Sequence, residues 1–304
     1  MNYLITVLKD PYRVPYFILK RIAFLFRNDE TYLKWYYFLN MHKFPDLEHP
    51  KTFNEKLTWL KLHDKHPEYS RLVDKYEVKK YVAEKIGQQY IIPTLGIWDD
   101  VEDIDFDKLP NQFVLKITSD SGGIIICRDK AKLNYNKVRK LMRKSQKRHF
   151  FAENREYPYR NVKPRIIAEQ YMEVESCKSL NDYKFFCFDG EPKLLLVITD
   201  REKKACYDFF DMNFNHLSIR RTHPWAQPQV VCPKEFETMK EIASTLAQGF
   251  PHVRIDLYNV DGCIYFGEFT FFSASGNMPF EPEEWDYKLG EWLNLPLSID
   301  KNGK

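Results

Sequence analysis

The chain has 304 residues, 44% of them hydrophobic and 29% charged, enough for a sizeable apolar core and too balanced for a disordered or fibrous protein. Forty-six lysines and arginines oppose 43 acids, and a net charge of +3 gives no ground for a nucleic-acid partner. Cys127, Cys177, Cys187, Cys206, Cys232 and Cys263 contain no Cys-x-x-Cys pair, and with no signal-peptide pattern they are expected to be reduced, mostly buried and cytosolic.

Residues 1–50 form a basic and aromatic segment, predicted to be helical. Its run from Tyr16 to Phe26 is apolar, but Lys20 and Arg21 interrupt it and it falls short of the roughly 20 residues that cross a bilayer. It could lie on a membrane face, with Lys20, Arg21 and Arg27 toward lipid phosphates; the expectation is a helix packed on the catalytic domain. Beyond it, Leu57, Leu60 and Leu62, then Leu72, Val73, Tyr76 and Val78, recur at helical spacing and predict two or three helices.

Phe113-Val-Leu-Lys116-Ile-Thr-Ser119, Asp120-Ser121-Gly122-Gly123 and Ile124-Ile-Ile-Cys127 read as strand, small turn and strand. Glycines and a hydroxyl let backbone N–H groups approach phosphate oxygens, and Lys116 adds charge; without P-loop spacing, an ordinary hairpin turn fits the same residues. Residues 132–149 read as a strongly basic helix. Pro164-Arg-Ile-Ile-Ala-Glu169-Gln-Tyr171-Met172-Glu173 is an apolar strand with a polar, aromatic end, and Asp182-Tyr-Lys184-Phe-Phe-Cys-Phe188 is another strand.

The proline-bounded loop Arg220-Arg221-Thr-His223-Pro224-Trp225 suits a sugar or a carboxylate, since arginine grips a carboxylate with two N–H groups and tryptophan stacks on a sugar face. The tryptophan could equally serve as an anchor. Residues 233–250 are predicted as an amphipathic helix with Phe236, Met239, Ile242, Ala243 and Leu246 inward.

A hairpin follows: Arg254-Ile-Asp256-Leu-Tyr258, a turn at Asp261-Gly262, and Ile264-Tyr-Phe-Gly-Glu268-Phe-Thr270. Carboxylates on adjoining strands hold a divalent cation if they share a face. A two-residue turn would pair Asp256 with Gly267 and turn Glu268 away. A three-residue loop, Val260 to Gly262, sets Arg254 opposite Glu268 and Asp256 opposite Phe266, so the bulged turn is predicted. Ser273-Ala-Ser275-Gly276-Asn277 then offers hydroxyl and amide groups to a substrate, or is a turn alone.

Taken in order, Lys116 before a glycine pair, the Ile-Ala-Glu169-Gln-Tyr171-Met172 hinge, the Asp-Tyr-Lys184 strand, Arg254-x-Asp256 and Gly-Glu268-x-Thr270 resemble the ATP-grasp superfamily. More narrowly, the chain resembles the TupA-like branch found among bacterial surface-polysaccharide and teichuronopeptide biosynthesis proteins, from about Thr52 to Gly290.

The resemblance implies an α+β fold of two lobes clasping ATP, with a helical N-terminal region. The divisions are the segment 1–50, a helical region 51–110 packed on the catalytic domain, a nucleotide lobe 111–180, and a C-terminal lobe 181–304 with the metal hairpin. It implies that Lys116 and Lys184 contact phosphates, and that Ser121, Gly122 and Gly123 close over the nucleotide. Glu169, Tyr171 and Met172 would meet adenine, with Glu173 or Glu175 on the ribose. Arg254 would clamp the transferring phosphoryl group while Asp256 and Glu268 hold one or two Mg²⁺, and Thr270 stands where many relatives carry an amide.

Arg220, Arg221, His223, Ser275 and Asn277 are the substrate candidates. The implied reaction joins an amine or amino acid to a carboxylate, a uronic acid of a surface polysaccharide, with ATP; a glycosyltransferase and a sugar kinase stay open. Expected partners are those small-molecule or saccharide substrates and peripheral membrane or polysaccharide-assembly proteins, in the cytoplasm or at the inner membrane face.

Overall fold

A computed structural model describes residues 10–120, 122–173, 180–201 and 203–296. The chain divides into two compact units. One combines Pro67–Arg148 with Pro158–Phe271, and the other Met1–His66, His149–Tyr157 and Phe272–Lys304.

The first unit carries two antiparallel sheets. Its strands are β1 (Thr94–Trp98), β2 (Phe113–Ile117), β3 (Ile124–Cys127), β4 (Ile166–Gln170), β5 (Asp182–Phe188), β6 (Glu191–Thr199), β7 (Cys206–Phe210), β8 (His216–Leu217), β9 (His252–Val260) and β10 (Cys263–Thr270). The four-stranded sheet runs β1-β4-β2-β3 and the six-stranded sheet β10-β9-β5-β6-β7-β8.

Alternation along β2 sorts its side chains. Phe113, Leu115 and Ile117 are buried against Val138 and Met142 of the helix Tyr135–Gln146, leaving Val114 and Lys116 on the other face. That helix is basic as its sequence suggests, with only its apolar stripe inward. The helix Phe236–Ala247 covers one face of the larger sheet, burying Phe236, Met239, Ile242, Ala243 and Leu246 as its periodicity predicts. The predicted two or three helices before β1 are three: Phe53–His63, Tyr69–Val73 and Glu77–Ile86.

The hairpin differs from the expected one. Val260 pairs directly with Cys263, so the turn is the two residues Asp261 and Gly262, with φ of 49° and 89°. Positive φ at both positions matches the right-handed twist of the strands and needs no third loop residue. The irregularity lies instead between Phe266 and Glu268, where Gly267 is the extra residue. It returns Glu268 to the place opposite Asp256, where a regular ladder would put Gly267. A Cβ on Gly267 would come within 3.1 Å of the Asp256 carbonyl oxygen and of the Tyr258 ring, so the bulge sits where there is no side chain.

The second unit is helical, with Arg13–Arg21, Asp29–Met41, Phe53–His63, Phe150–Asn154 and Glu284–Trp292. Leu19, Ala23, Tyr32, Leu33 and Tyr36 form one of its cores. Thr52 and Glu55 make a reciprocal capping box at the start of Phe53–His63. Lys56 Nζ donates to the Gly290 and Leu293 carbonyls at 2.8 Å each, satisfying the end of Glu284–Trp292.

The N-terminal stretch buries only part of its apolar surface. Phe17, Ile18, Ile22, Phe24 and Leu25 stay exposed, Phe24 by 74%. No helix among the described residues is long and apolar enough to cross a membrane. The described cysteines are free, but only Cys127 and Cys187 are buried; Cys206 is half-buried and Cys232 and Cys263 are exposed, which corrects the expectation of mostly buried thiols. Cys263 starts β10 beside the hairpin turn, where the chain meets solvent. Cys177 lies outside the described residues.

Candidate active site

A cavity of about 480 Å³ opens between the two sheets of the first unit. Ile92, Val114, Ile124 and Ile126 give it apolar walls, and Gln170, Tyr171 and Met172 line it where the chain leaves β4. Ile124 and Ile126 are each 45% exposed because β3 turns them into this space. Lys116, Glu169, Asp182 and Arg201 supply charge to the same lining. An apolar slot with a few charged groups suits a flat heterocycle joined to an anion.

Glu169 is buried on β4, opposite Val114 of β2. Its two oxygens lie 2.5 Å from Lys79 Nζ and 2.6 Å from Lys116 Nζ. Burial alone would push its carboxyl up, but Lys116 and Lys79 outweigh that and hold it below the usual range. So the Glu169 side chain is engaged by two lysines, while Gln170, Tyr171 and Met172 of the hinge also line the cavity.

Lys79 and Lys75 escaped the sequence reading as site residues. Lys79 also donates to the Ile92 carbonyl at 2.8 Å and to Thr94 Oγ at 2.9 Å, while Lys75 Nζ donates to the Asp120 carbonyl at 2.6 Å. Burial pulls Lys75 down, and the Glu268 charge is the first to oppose it. Only Lys79 lies in the helix Glu77–Ile86, with Lys75 in the turn before it, so no helical spacing in the sequence joins the two amines.

The larger sheet presents a charged face. Cross-strand partners share a face, so Asp182 with Tyr258, Lys184 with Asp256, and Asp256 with Glu268 align Asp182, Lys184, Tyr258, Asp256 and Glu268 on one side. Arg254 and Thr270, also paired, lie on that side too. Arg254 Nε and Nη2 donate to the two Asp256 oxygens at 2.6 and 2.8 Å, and Lys184 Nζ donates to Asp256 Oδ2. Arg254 Nη2 also reaches Thr270 Oγ1 at 3.0 Å and Glu268 Oε1 at 3.4 Å. Burial pushes the Asp256 carboxyl up, but Arg254 and Lys184 hold it below the usual range. Asp182, at the head of β5, binds Arg201 Nη1 at 3.0 and 3.3 Å; neither residue of this pair was singled out from sequence.

Among the described residues no group of three or more His, Cys, Asp and Glu gathers. Asp256, Glu268 and the Thr270 hydroxyl offer hard oxygens and no soft ligand. Mg²⁺ uses one or two carboxylates and completes its shell with water and phosphate, so these donors fit such an ion and do not form a closed cage for a resident metal.

The remaining candidates fall in several places. Gly122 donates its N–H to Asp120 Oδ1 at 3.1 Å, and Gly123, with φ of 62°, lies so close to Ser145 that a Cβ would meet it at 2.8 Å. Ser121 and Glu175 lie outside the described residues, and Glu173 is exposed. Arg220 stacks on Trp225 at 4.3 Å, and Trp225 Nε1 donates to the Ile219 carbonyl at 3.0 Å, so the tryptophan anchors its loop. The His223 ring stacks on Tyr207 at 4.1 Å.

Ser275 and Asn277 belong to the helical unit. There Ser275 Oγ donates to Glu156 Oε1 and accepts from the buried Lys61 Nζ, each at 2.8 Å, while Asn277 Nδ2 donates to the Ser275 carbonyl at 2.7 Å. Ala274 and Ser275 both hold positive φ, 47° and 57°, in this turn.

The model of the TupA-like ATP-grasp family matches residues 55–294. Among solved structures, the D-alanine–D-alanine ligase from Bacillus anthracis complexed with ATP is 15% identical over 71% of this chain and 55% of its own, with a TM-score of 0.39. The ATP-grasp ligase PsnB complexed with minimal precursor is 12% identical over 79% of this chain and 67% of its own, at 0.41. The phosphoribosylamine–glycine ligase from Thermotoga maritima is 13% identical over 67% and 48%, at 0.37. The chain thus spans just over half the length of the first of these. No curated protein matches it.

Proposed function

The chain belongs to the TupA-like ATP-grasp family, and on that premise we propose that it is an ATP- and Mg²⁺-dependent ligase that joins an amine to a carboxylate. The observation that carries this reading is the single sheet face on which Lys184, Arg254, Asp256, Glu268 and Thr270 stand together, in the same unit as the cavity lined by Lys116, Tyr171 and Met172.

Phosphoryl transfer asks a protein for positioning and charge neutralisation more than for a covalent partner. ATP would place its base in the cavity against Val114, Ile124 and Ile126, with Lys116 and Lys184 on the phosphates and Arg254 on the transferring group. Asp256, Glu268 and Thr270 would hold Mg²⁺, which supplies charge to the phosphate oxygens when bound. The carboxylate of the acid displaces ADP from the γ-phosphorus, and the amine then attacks the carbonyl carbon of the acylphosphate, forming the C–N bond as inorganic phosphate leaves and the nitrogen loses a proton.

The acids and bases of the site neutralise one another, Asp256 against Arg254 and Lys184, and Glu169 against Lys116 and Lys79. Magnesium and triphosphate together carry the complementary charges, so both can enter by exchanging partners without stranding a buried ion. The acid is proposed to be a uronic acid of a surface polysaccharide or its precursor.

The exposed Phe17, Ile18, Phe24 and Leu25, beside the exposed Arg21 and Arg27, further suit peripheral contact with an anionic bilayer.

Calorimetry of nucleotide binding with and without Mg²⁺ tests the reading, on the wild type and on Asp256→Asn/Glu268→Gln. Magnesium-dependent ATP binding that the double variant loses, followed by ADP release requiring both an acid and an amine, is the expected result. Binding of a UDP-sugar in place of ATP would make the protein a glycosyltransferase, and ADP release without an amine requirement would make it a kinase.

A further inference from the structure

Among the described residues, Arg139, Arg155, Arg165 and Arg221 each bury an Nε that makes no hydrogen bond. Three of them still face an acid: Arg139 lies 3.3 Å from Glu102, Arg155 2.7 Å from Asp29, and Arg165 3.0 Å from Asp74. Arg221, itself half-buried, has no ion pair among the described residues. Drawing a guanidinium even partly out of water without a counter-charge is costly, and an arriving anion relieves that cost.

The surroundings of Arg221 say which anion and where. Its guanidinium carbon lies 5.9 Å from the centre of the Tyr207 ring, the ring on which His223 stacks at 4.1 Å with 13° between planes. Tyr207 N–H donates to the Pro224 carbonyl at 2.9 Å, which ties the loop to β7. Tyr207 pairs with Ile198 of β6, and Ile198 with Asp182 of β5, so Tyr207 shares the face that carries Lys184, Arg254, Asp256 and Glu268.

Burial, with Arg254 adding to it against the opposite pull of Tyr207, brings Arg221 down to about 10, which marks the two guanidiniums as neighbours in one positive field. Asp256 cannot serve as the missing counter-charge, because Arg254 and Lys184 already occupy both its oxygens. Arg220 is not equivalent, for it is exposed and stacked on Trp225.

We propose that Arg221 binds the carboxylate of the acid substrate on this sheet face, with Tyr207 and His223 forming a flat aromatic wall for the ring that bears it. The proposal rests on the ligase reading and deepens it, naming Arg221 as the residue that selects the acid. A guanidinium fork matches a carboxylate with two parallel N–H donors, and an aromatic face suits the C–H side of a sugar. Held there, one carboxylate oxygen forms the new bond to the γ-phosphorus while the bond from that phosphorus to the bridging oxygen breaks and ADP leaves with the electron pair.

D-glucuronate serves as the probe, titrated by calorimetry into protein saturated with Mg²⁺ and a non-hydrolysable ATP analogue, with methyl glucoside as the neutral comparison. Wild type should bind glucuronate and not methyl glucoside. Arg221→Gln should weaken glucuronate more than tenfold, with Arg221→Lys in between, while nucleotide affinity stays within about twofold and Arg220→Gln behaves as wild type. The proposal is overturned if Arg221→Gln, or Arg221→Lys should the former not fold, leaves glucuronate affinity unchanged. It is equally overturned if nucleotide binds and glucuronate does not, or if methyl glucoside binds as well. Failure of the nucleotide itself to bind would remove the ligase reading and this proposal with it.

Discussion

Glu268 stands directly opposite Asp256 across β9 and β10, and the residue that brings it there is Gly267, the extra residue of a bulge. The two acids differ in surroundings: the Asp256 side chain is 2% exposed and bonded to Arg254 and Lys184, whereas that of Glu268 is 37% exposed. Asp256→Asn should therefore cost about 3 kcal/mol of stability by leaving two buried cations underpaired. Glu268→Gln should change stability by less than about 1 kcal/mol. Both should abolish the effect of Mg²⁺ on nucleotide affinity. Denaturant titration beside calorimetry separates the two effects, and equal stability of the two variants would refute the contrast.

Glu169 divides its oxygens between Lys79 and Lys116. With Lys79→Met, Lys116 becomes the sole counter-charge of a buried carboxylate and is less free for a phosphate, so ATP affinity should fall about tenfold, equivalent to about 1.4 kcal/mol. Lys79→Met/Glu169→Gln should recover most of it. If the single variant binds ATP as tightly as wild type, Lys116 is not shared in this way.

His252 is buried at the start of β9, donates Nδ1–H to the Cys187 carbonyl at 2.8 Å, and is pulled down to about 3, first by burial. The unfolded chain takes up this proton near pH 6.5, the folded chain only far below it. The contribution to stability is thus complete above pH 6.5 and drains away as pH falls, at about 1.4 kcal/mol per unit, or ~2 kcal/mol by pH 5. Unfolding followed between pH 8 and pH 5 should show that slope, and His252→Phe should flatten it. A profile identical in the two proteins would assign the slope to other groups.

Vesicle cosedimentation addresses the exposed stripe of Phe17, Ile18, Phe24 and Leu25 next to Arg21 and Arg27. Binding to phosphatidylglycerol vesicles, weakened by salt and lost in Phe17→Ser/Phe24→Ser, is expected, with little retention on purely zwitterionic vesicles. Equal recovery in the supernatant with and without anionic lipid would rule out this surface as a membrane contact.

Much of this molecule is local and therefore legible in the chain. The run from Phe113 read as a strand, as β2 is, helical spacing placed Phe236, Met239 and Ile242 inward on Phe236–Ala247, and Asp261-Gly262 announced a hairpin turn. The order of Lys116, Lys184, Arg254, Asp256 and Glu268 pointed to the family before any geometry was in hand. Strands β1, β6, β7 and β8 were not anticipated. β1 is five residues interrupted by Gly96, and the apolar run of β6 carries no alternation because both its faces are covered.

What the sequence by itself determined was the inventory of charged groups and the faces of its longer elements, because side-chain direction follows from backbone periodicity over a few residues. Only the tertiary structure decided which charges meet. Glu169 finds Lys79 across 90 positions, since the fold brings the helix Glu77–Ile86 against β4. The bulge at Gly267, not the length of the turn, sets the two acids face to face. Among the described residues Arg221 is left without an acid, while Arg220 beside it lies on Trp225. Each of these is settled by long-range packing and by the register of a ladder, where one inserted residue reverses the facing of every side chain beyond it.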